Sequence, residues 1–100
     1  MTRILIDLNN ENFQNTLFNL EKLEQHALFN SLKKIRQLNW DELYRNKGIR
    51  WESITSYKTV KENKIYSFRF SQKYRGTAYR EGNYLVLLAL FIDHDSTYKR

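Results

Sequence analysis

The sequence predicts a small α+β domain, with helices packed on one face of a mostly antiparallel sheet. Three observations predict it. A short alternating apolar segment, "RILIDL", opens the chain, a helical apolar spacing follows, and three strand-like segments joined by tight turns come after that. One hundred residues suffice for one core and one domain, residues 1–100.

In "RILIDL", Ile4, Ile6 and Leu8 share one face of a strand. "NNENF" then offers Asn9 or Asn10 as a helix cap, with Glu11 in the first turn. Phe13, Leu17, Leu20 and Leu23 recur at threes and fours, and Leu28, Leu32, Ile35 and Leu38 extend the pattern. No Gly or Pro interrupts it, so one long helix and a hairpin of two helices both fit. Either form must lay its apolar stripe on a sheet. "NWDELYRNKG" predicts a short capped helical turn ending at Gly48, and "IRWESITSYKTVKENK" a strand start or loop on a basic side.

Three strands follow. In "IYSFRF", Tyr66, Phe68 and Phe70 face one way, and Ser67 and Arg69 the other. "SQK" is a turn. In "YRGTAYR", Arg75, Thr77 and Tyr79 oppose Tyr74, Gly76 and Ala78. "EGN" is a tight turn in which Gly82 can take a positive φ. "YLVLLALFI" is apolar on both sides, as in a central strand covered on both faces. Alternation alone does not relate the faces that carry Arg69 and Arg75.

Composition narrows the function classes. There is no cysteine, which excludes disulfides, thiolate zinc sites and cysteine nucleophiles, and fits a reducing cytoplasm. The longest apolar run, Tyr84 to Ile92, is about half a membrane span, and the N-terminus lacks the apolar core of a signal peptide. A cytoplasmic protein without membrane partners is expected. The net charge is +6, concentrated between Arg45 and Arg80, where ten Lys and Arg face only Glu52 and Glu62. Tyr and Trp are interleaved there, the footprint of a phosphate-rich partner.

The chain also carries residues suited to phosphate chemistry. Arg69, Lys73, Arg75 and Arg80 lie within twelve residues on adjoining strands, and arginine forks bind phosphate bidentately. His94, between Asp93 and Asp95, is a candidate acid or base, and Tyr98 a candidate for stacking on a base. A turn histidine, a solvated cationic face and a tail aromatic are the plainer readings. His26 is the only other histidine and is poorly placed to complete a metal site, so no metal and no cofactor are expected. Three scattered glycines form no phosphate-cradling loop, and Ser67, Ser71 and Ser96 sit in no nucleophile motif.

"GIRWESI" and "IYSFRFSQKYRGTAYREGNYLVLLALFIDHDSTY" together resemble the RelE/ParE toxin superfamily of bacterial type II toxin–antitoxin systems. The likeness covers Gly48 to Tyr98. The motifs are the "W-E-x-I" segment, the strand pair ending in "YR", and the terminal "DHD-x-x-Y". The resemblance implies a helical hairpin on a twisted, mostly antiparallel, RelE-like sheet. It also implies a metal-independent endoribonuclease, an mRNA interferase cleaving mRNA on the ribosome and held by a cognate antitoxin. By position it implies catalytic roles for His94, Arg75, Arg69 and Tyr98. Lys73, Arg80 and Lys99 are then expected to hold RNA. Ser67 stands where some ribonuclease members place a lysine, which shifts the expected general base towards His94. Gyrase-inhibiting toxins of the same fold, and a non-catalytic nucleic-acid-binding module, are the alternatives.

Overall fold

The computed structural model describes residues 3–58 and 63–92. In chain order these form β1 (Leu5–Asp7), α1 (Glu11–Asn19), α2 (Lys22–Arg36), α3 (Trp40–Arg45), β2 (Glu52–Lys58), β3 (Lys64–Arg69), β4 (Tyr74–Glu81) and β5 (Tyr84–Ile92). The strands make one sheet in the order β1-β5-β4-β3-β2. β1 runs parallel to β5, and the other three pairings are antiparallel. The fold is therefore a small α+β domain with a mixed sheet. Its first strand is placed beside its last, so the long-range pairing closes one side of the sheet.

The helical half resolves into separate helices. Asn10 caps α1, its Oδ1 accepting the Phe13 N–H at 2.9 Å. Leu20 then leaves the helix with extended dihedrals, and the Gln25 side-chain amide donates to the carbonyl of Leu17 at 2.9 Å. That bond supplies a partner for a carbonyl at the end of the helix. The apolar stripe breaks here too. Phe13 and Leu17 are buried, but Leu23 is 77% exposed, and α2 starts its own buried row at Leu28, Leu32 and Ile35.

α3 is held by a capping box. Asn39 Oδ1 accepts the Glu42 N–H at 2.8 Å, and Glu42 Oε1 accepts the Asn39 N–H at 2.9 Å. The helix ends at Arg45 with Asn46 as its cap, not at Gly48, because Asn46 begins the next turn. Its Oδ1 accepts the N–H of Ile49 at 2.9 Å. The segment after it is a strand, β2, whose Glu52 pairs with Ser67.

The core lies between the helices and one sheet face. Phe13, Leu28, Ile35 and Leu43 meet Ile4, Phe68, Leu85 and Leu87, all fully buried. Each such side chain contributes about 1.5–3 kcal/mol on leaving water. Gly76 lies opposite Phe68 on this face, where a Cβ would sit 2.5 Å from the ring. Trp51 stacks on Tyr66 with centroids 4.6 Å apart, extending the core towards β2.

β5 is interior in the sheet order, yet only one of its faces is fully buried. Leu85, Leu87 and Leu90 enter the core, whereas Val86, Leu88 and Ala89 are half-buried and Phe91 and Ile92 are exposed. A bulge explains the apolar character of both parities. Thr77 pairs with Ala89 but Ala78 with Leu87, so Leu88 is an extra residue. The phase of the strand changes there, and Leu90 returns to the core instead of Ala89. Gly82 takes a φ of 61° in the two-residue loop before β5.

Candidate nucleic-acid interface

Pairing across the sheet fixes which side chains share the face opposite the core. Directly opposed residues project to the same side. One row runs Ile54, Ile65, Tyr79, Val86 and Asp7. The next runs Glu52, Ser67, Thr77 and Ala89, and the row beyond it Arg69, Arg75 and Phe91. The face grades from apolar in the middle to cationic at the end where β5 finishes.

Arg69 and Arg75 are thus direct cross-strand partners on one face, a relation that alternation alone left open. Two like charges so placed repel one another unless anions lie between or above them. The backbone holds Arg69 firmly, since its N–H donates to the carbonyl of Ile49 at 2.8 Å. The Arg75 side chain is only 16% exposed, and its Nη2 donates to Ser67 Oγ at 2.8 Å. Ser67 is itself buried at 8% exposure, so the hydroxyl fixes one arm of the guanidinium fork. The remaining N–H groups of a guanidinium lie in the same plane, suited to two oxygens of a phosphate.

Two further residues join this group. Glu52 Oε1 lies 3.8 Å from Arg75 Nη2, and Glu52 Oε2 lies 3.8 Å from Arg50 Nε. One carboxylate therefore bridges two guanidinium groups. The sequence carried Glu52 in the charge balance and in the "W-E-x-I" segment, and Arg50 in the charge balance, but assigned neither to the site. The signal that could have found them is the close "R-x-E" spacing of opposite charges in "IRWESI".

The other expected site residues divide. Arg80 pairs with Leu85 and points to the helical side, where its guanidinium lies 4.3 Å from the Trp40 ring centroid and its Nε donates to the Gly82 carbonyl at 2.9 Å. It is not brought together with Arg69 and Arg75. Lys73 is exposed in the turn between β3 and β4, which Ser71 organises by accepting the Lys73 and Tyr74 N–H groups at 3.2 and 3.1 Å. His94, Tyr98 and Lys99 lie outside the described residues.

Two tyrosines near this region have phenols held above the ordinary value of 10.0. For Tyr79 the main cause is burial, followed by the negative charges of Glu81 and Asp7. For Tyr66 it is burial and then a hydrogen bond with Tyr44. Both remain protonated at neutral pH, so neither supplies a base to the open face. Among the described residues, Glu52 is a carboxylate that lies between Arg50 and Arg75.

No family model, curated protein or solved structure matches the chain.

Among the described residues no helix is long and apolar enough to cross a membrane.

Proposed function

We propose that this chain is the endoribonuclease toxin of a type II toxin–antitoxin system, with a RelE-like arrangement of sheet and helices, acting in the cytoplasm on mRNA at the ribosome. The observation that carries the reading is the pairing of Arg69 with Arg75 on the sheet face away from the core, with Arg75 aimed by Ser67. This pairing brings together two of the four residues that the RelE/ParE resemblance assigns to catalysis.

In this reading the 2′-hydroxyl of one nucleotide attacks the adjacent phosphorus. The bond to the 5′-oxygen breaks, leaving a 2′,3′-cyclic phosphate and a free 5′-hydroxyl. Arg69 and Arg75 take up charge on the phosphorane oxygens, a role in which fixed donors act most strongly in transition states. Glu52 holds the place of a phosphate between Arg50 and Arg75 in the free protein. His94 exchanges the proton of the nucleophile or leaving group, and Tyr98 stacks on a neighbouring base. Lys73 and Lys99 hold RNA backbone. Arg80 belongs more naturally to the Trp40 contact than to this surface. A cognate antitoxin restrains the activity.

The test is cleavage of mRNA in a translating extract, with 5′ ends mapped for the parent, His94→Ala and Arg75→Ala. New ends that vanish in both variants support the site. Translation left intact with no new ends sinks the ribonuclease reading and directs the next assay to DNA gyrase.

A further inference from the structure

A basic cleft lies where the turn after α3 enters β2, the edge strand of the sheet. It has a volume of about 420 Å³ and is lined by Tyr44, Arg45, Lys47, Arg50, Trp51 and Glu52. That volume falls within the roughly 300–1,000 Å³ typical of small-ligand sites. The turn that builds it is anchored from below. Ile49 is buried at 3% exposure, its N–H is taken by Asn46 Oδ1, and the Arg50 N–H reaches the Asn46 carbonyl at 3.3 Å. The turn leaves Lys47 and Arg50 exposed beside Arg45.

Arg50 adopts a φ of 59°, the left-handed region that side-chain-bearing residues rarely occupy. No packing requirement explains an arginine there, since the side chain is 47% exposed. Backbone strain at exposed charged residues is a mark of functional sites. Tyr44 presents a ring that is 42% exposed and is backed by Tyr66 at 5.9 Å and Trp40 at 6.3 Å. Trp51 is buried, and its indole N–H has no acceptor among the described residues. Three cations beside a supported, exposed aromatic ring make the combination that binds single-stranded nucleic acid, with bases on the ring and phosphates on the cations.

Glu52 links this cleft to the Arg75 face, because its two oxygens approach Arg50 and Arg75 respectively. We propose that the cleft is a single-stranded RNA subsite next to the scissile position, in which Tyr44 stacks one base and Arg45, Lys47 and Arg50 hold the flanking phosphates. The proposal rests on the RNA-cleaving reading for its substrate class. It adds where the strand runs: past the α3–β2 turn at the start of β2 and not along the apolar middle of the sheet.

The test is fluorescence anisotropy with a labelled five-nucleotide 2′-O-methyl RNA, which cannot be cleaved by 2′-attack. The proteins are the parent, Arg45→Gln/Lys47→Gln, Tyr44→Leu and Arg75→Ala, each checked for unchanged melting. The double variant is expected to lose about tenfold in affinity, and its salt slope to fall by roughly 1.4, two phosphate contacts on a single strand. Tyr44→Leu is expected to lose affinity with the salt slope retained. Double-variant binding equal to the parent's, with binding reduced in Arg75→Ala, overturns the subsite and leaves the ribonuclease reading standing. Loss in the double variant, with no cleavage by the parent in extract, keeps the subsite and removes the nuclease. A parent that binds no RNA overturns the subsite, and cleavage in the translating extract then decides the ribonuclease reading separately.

Discussion

Gly76→Ala tests whether the register of β3 and β4 is as tight as the structure makes it. A Cβ at this position lies 2.5 Å from Phe68 Cζ, 2.7 Å from Phe68 Cε1 and 3.2 Å from Leu90 Cδ2. Ordinary contact requires the ring to retreat by nearly an ångström. Phe68 is fully buried, with Trp51 at 6.4 Å on one side and Phe70 at 6.2 Å on the other. For so buried a ring, retreat means that the strands separate or the side chain leaves its rotamer. Overpacking of this kind costs about 1–3 kcal/mol. Replacing glycine restores about 0.5–1 kcal/mol by restricting the unfolded chain. The net loss is about 1–2 kcal/mol, which for a domain of this size lowers Tm by roughly 5–15 °C. Thermal unfolding followed by far-UV circular dichroism reads it, with Phe68→Leu/Gly76→Ala as partner. The double variant should recover part of the loss beyond additivity. A Gly76→Ala protein that melts with the parent refutes the contact, and with it the register that pairs Arg69 with Arg75.

Three other outcomes are expected. Arg50→Gly relieves the left-handed strain and Arg50→Ala does not, so the glycine variant should be the more stable by about 1 kcal/mol in urea titrations; the reverse order contradicts the backbone assignment. Glu52→Gln removes the negative charge between Arg50 and Arg75, long contacts of 3.8 Å to a carboxylate that is 58% exposed and worth about 0–1 kcal/mol each, so stability should change little while RNA binding tightens; weaker binding counts against Glu52 as a phosphate placeholder. Tyr79, with its folded pKa raised above 10.0 mainly by burial, keeps its proton after the unfolded chain has lost it. Its contribution to stability is complete below pH 10 and is lost as pH rises through the folded value. Tyrosinate absorbance should show a late component, shared with Tyr66, that shrinks in Tyr79→Phe, and an unchanged titration rejects the assignment.

Local signals in the sequence carried much of the architecture. Period-two alternation placed Phe68 and Phe70 against Ser67 and Arg69, a helix cap at Asn9 or Asn10 was legible from residue type, and so was the positive φ at Gly82. What was not legible depended on distant partners. The break after Asn19 has no Gly or Pro; it is supported by Gln25 reaching back to Leu17, a contact that no local spacing encodes. The end of α3 moved from Gly48 to Arg45 because Asn46 was more useful to the turn than glycine to the helix. β5 looked covered on both sides because a bulge at Leu88 shifts its phase, and a bulge is a property of a strand pair. The candidate site divides on the same principle. Arg69 and Arg75 could be chosen as cations, but their being opposite one another needed the register, and Arg80 went to the other face because it sits at odd parity to Arg75. Glu52 was visible in the "W-E-x-I" segment, but its place beside Arg75 needed β2 laid beside β3.

The parallel pairing of β1 with β5 has a consequence in time. β1 forms early in the chain but its partner is the last strand in the order of described elements, and α1 also packs on β5. Until residues 84–92 emerge, the first strand has no neighbour and the first helix lacks its main seat. A chain growing at about 5–20 residues per second thus carries its N-terminal elements unplaced for several seconds. Closing so long a loop is slow compared with forming the β3–β4–β5 meander. The meander, which bears Arg69 and Arg75, is therefore expected to assemble before the helices are clamped over it. On this reasoning the pairing of β1 with β5 is expected to be a late step of folding.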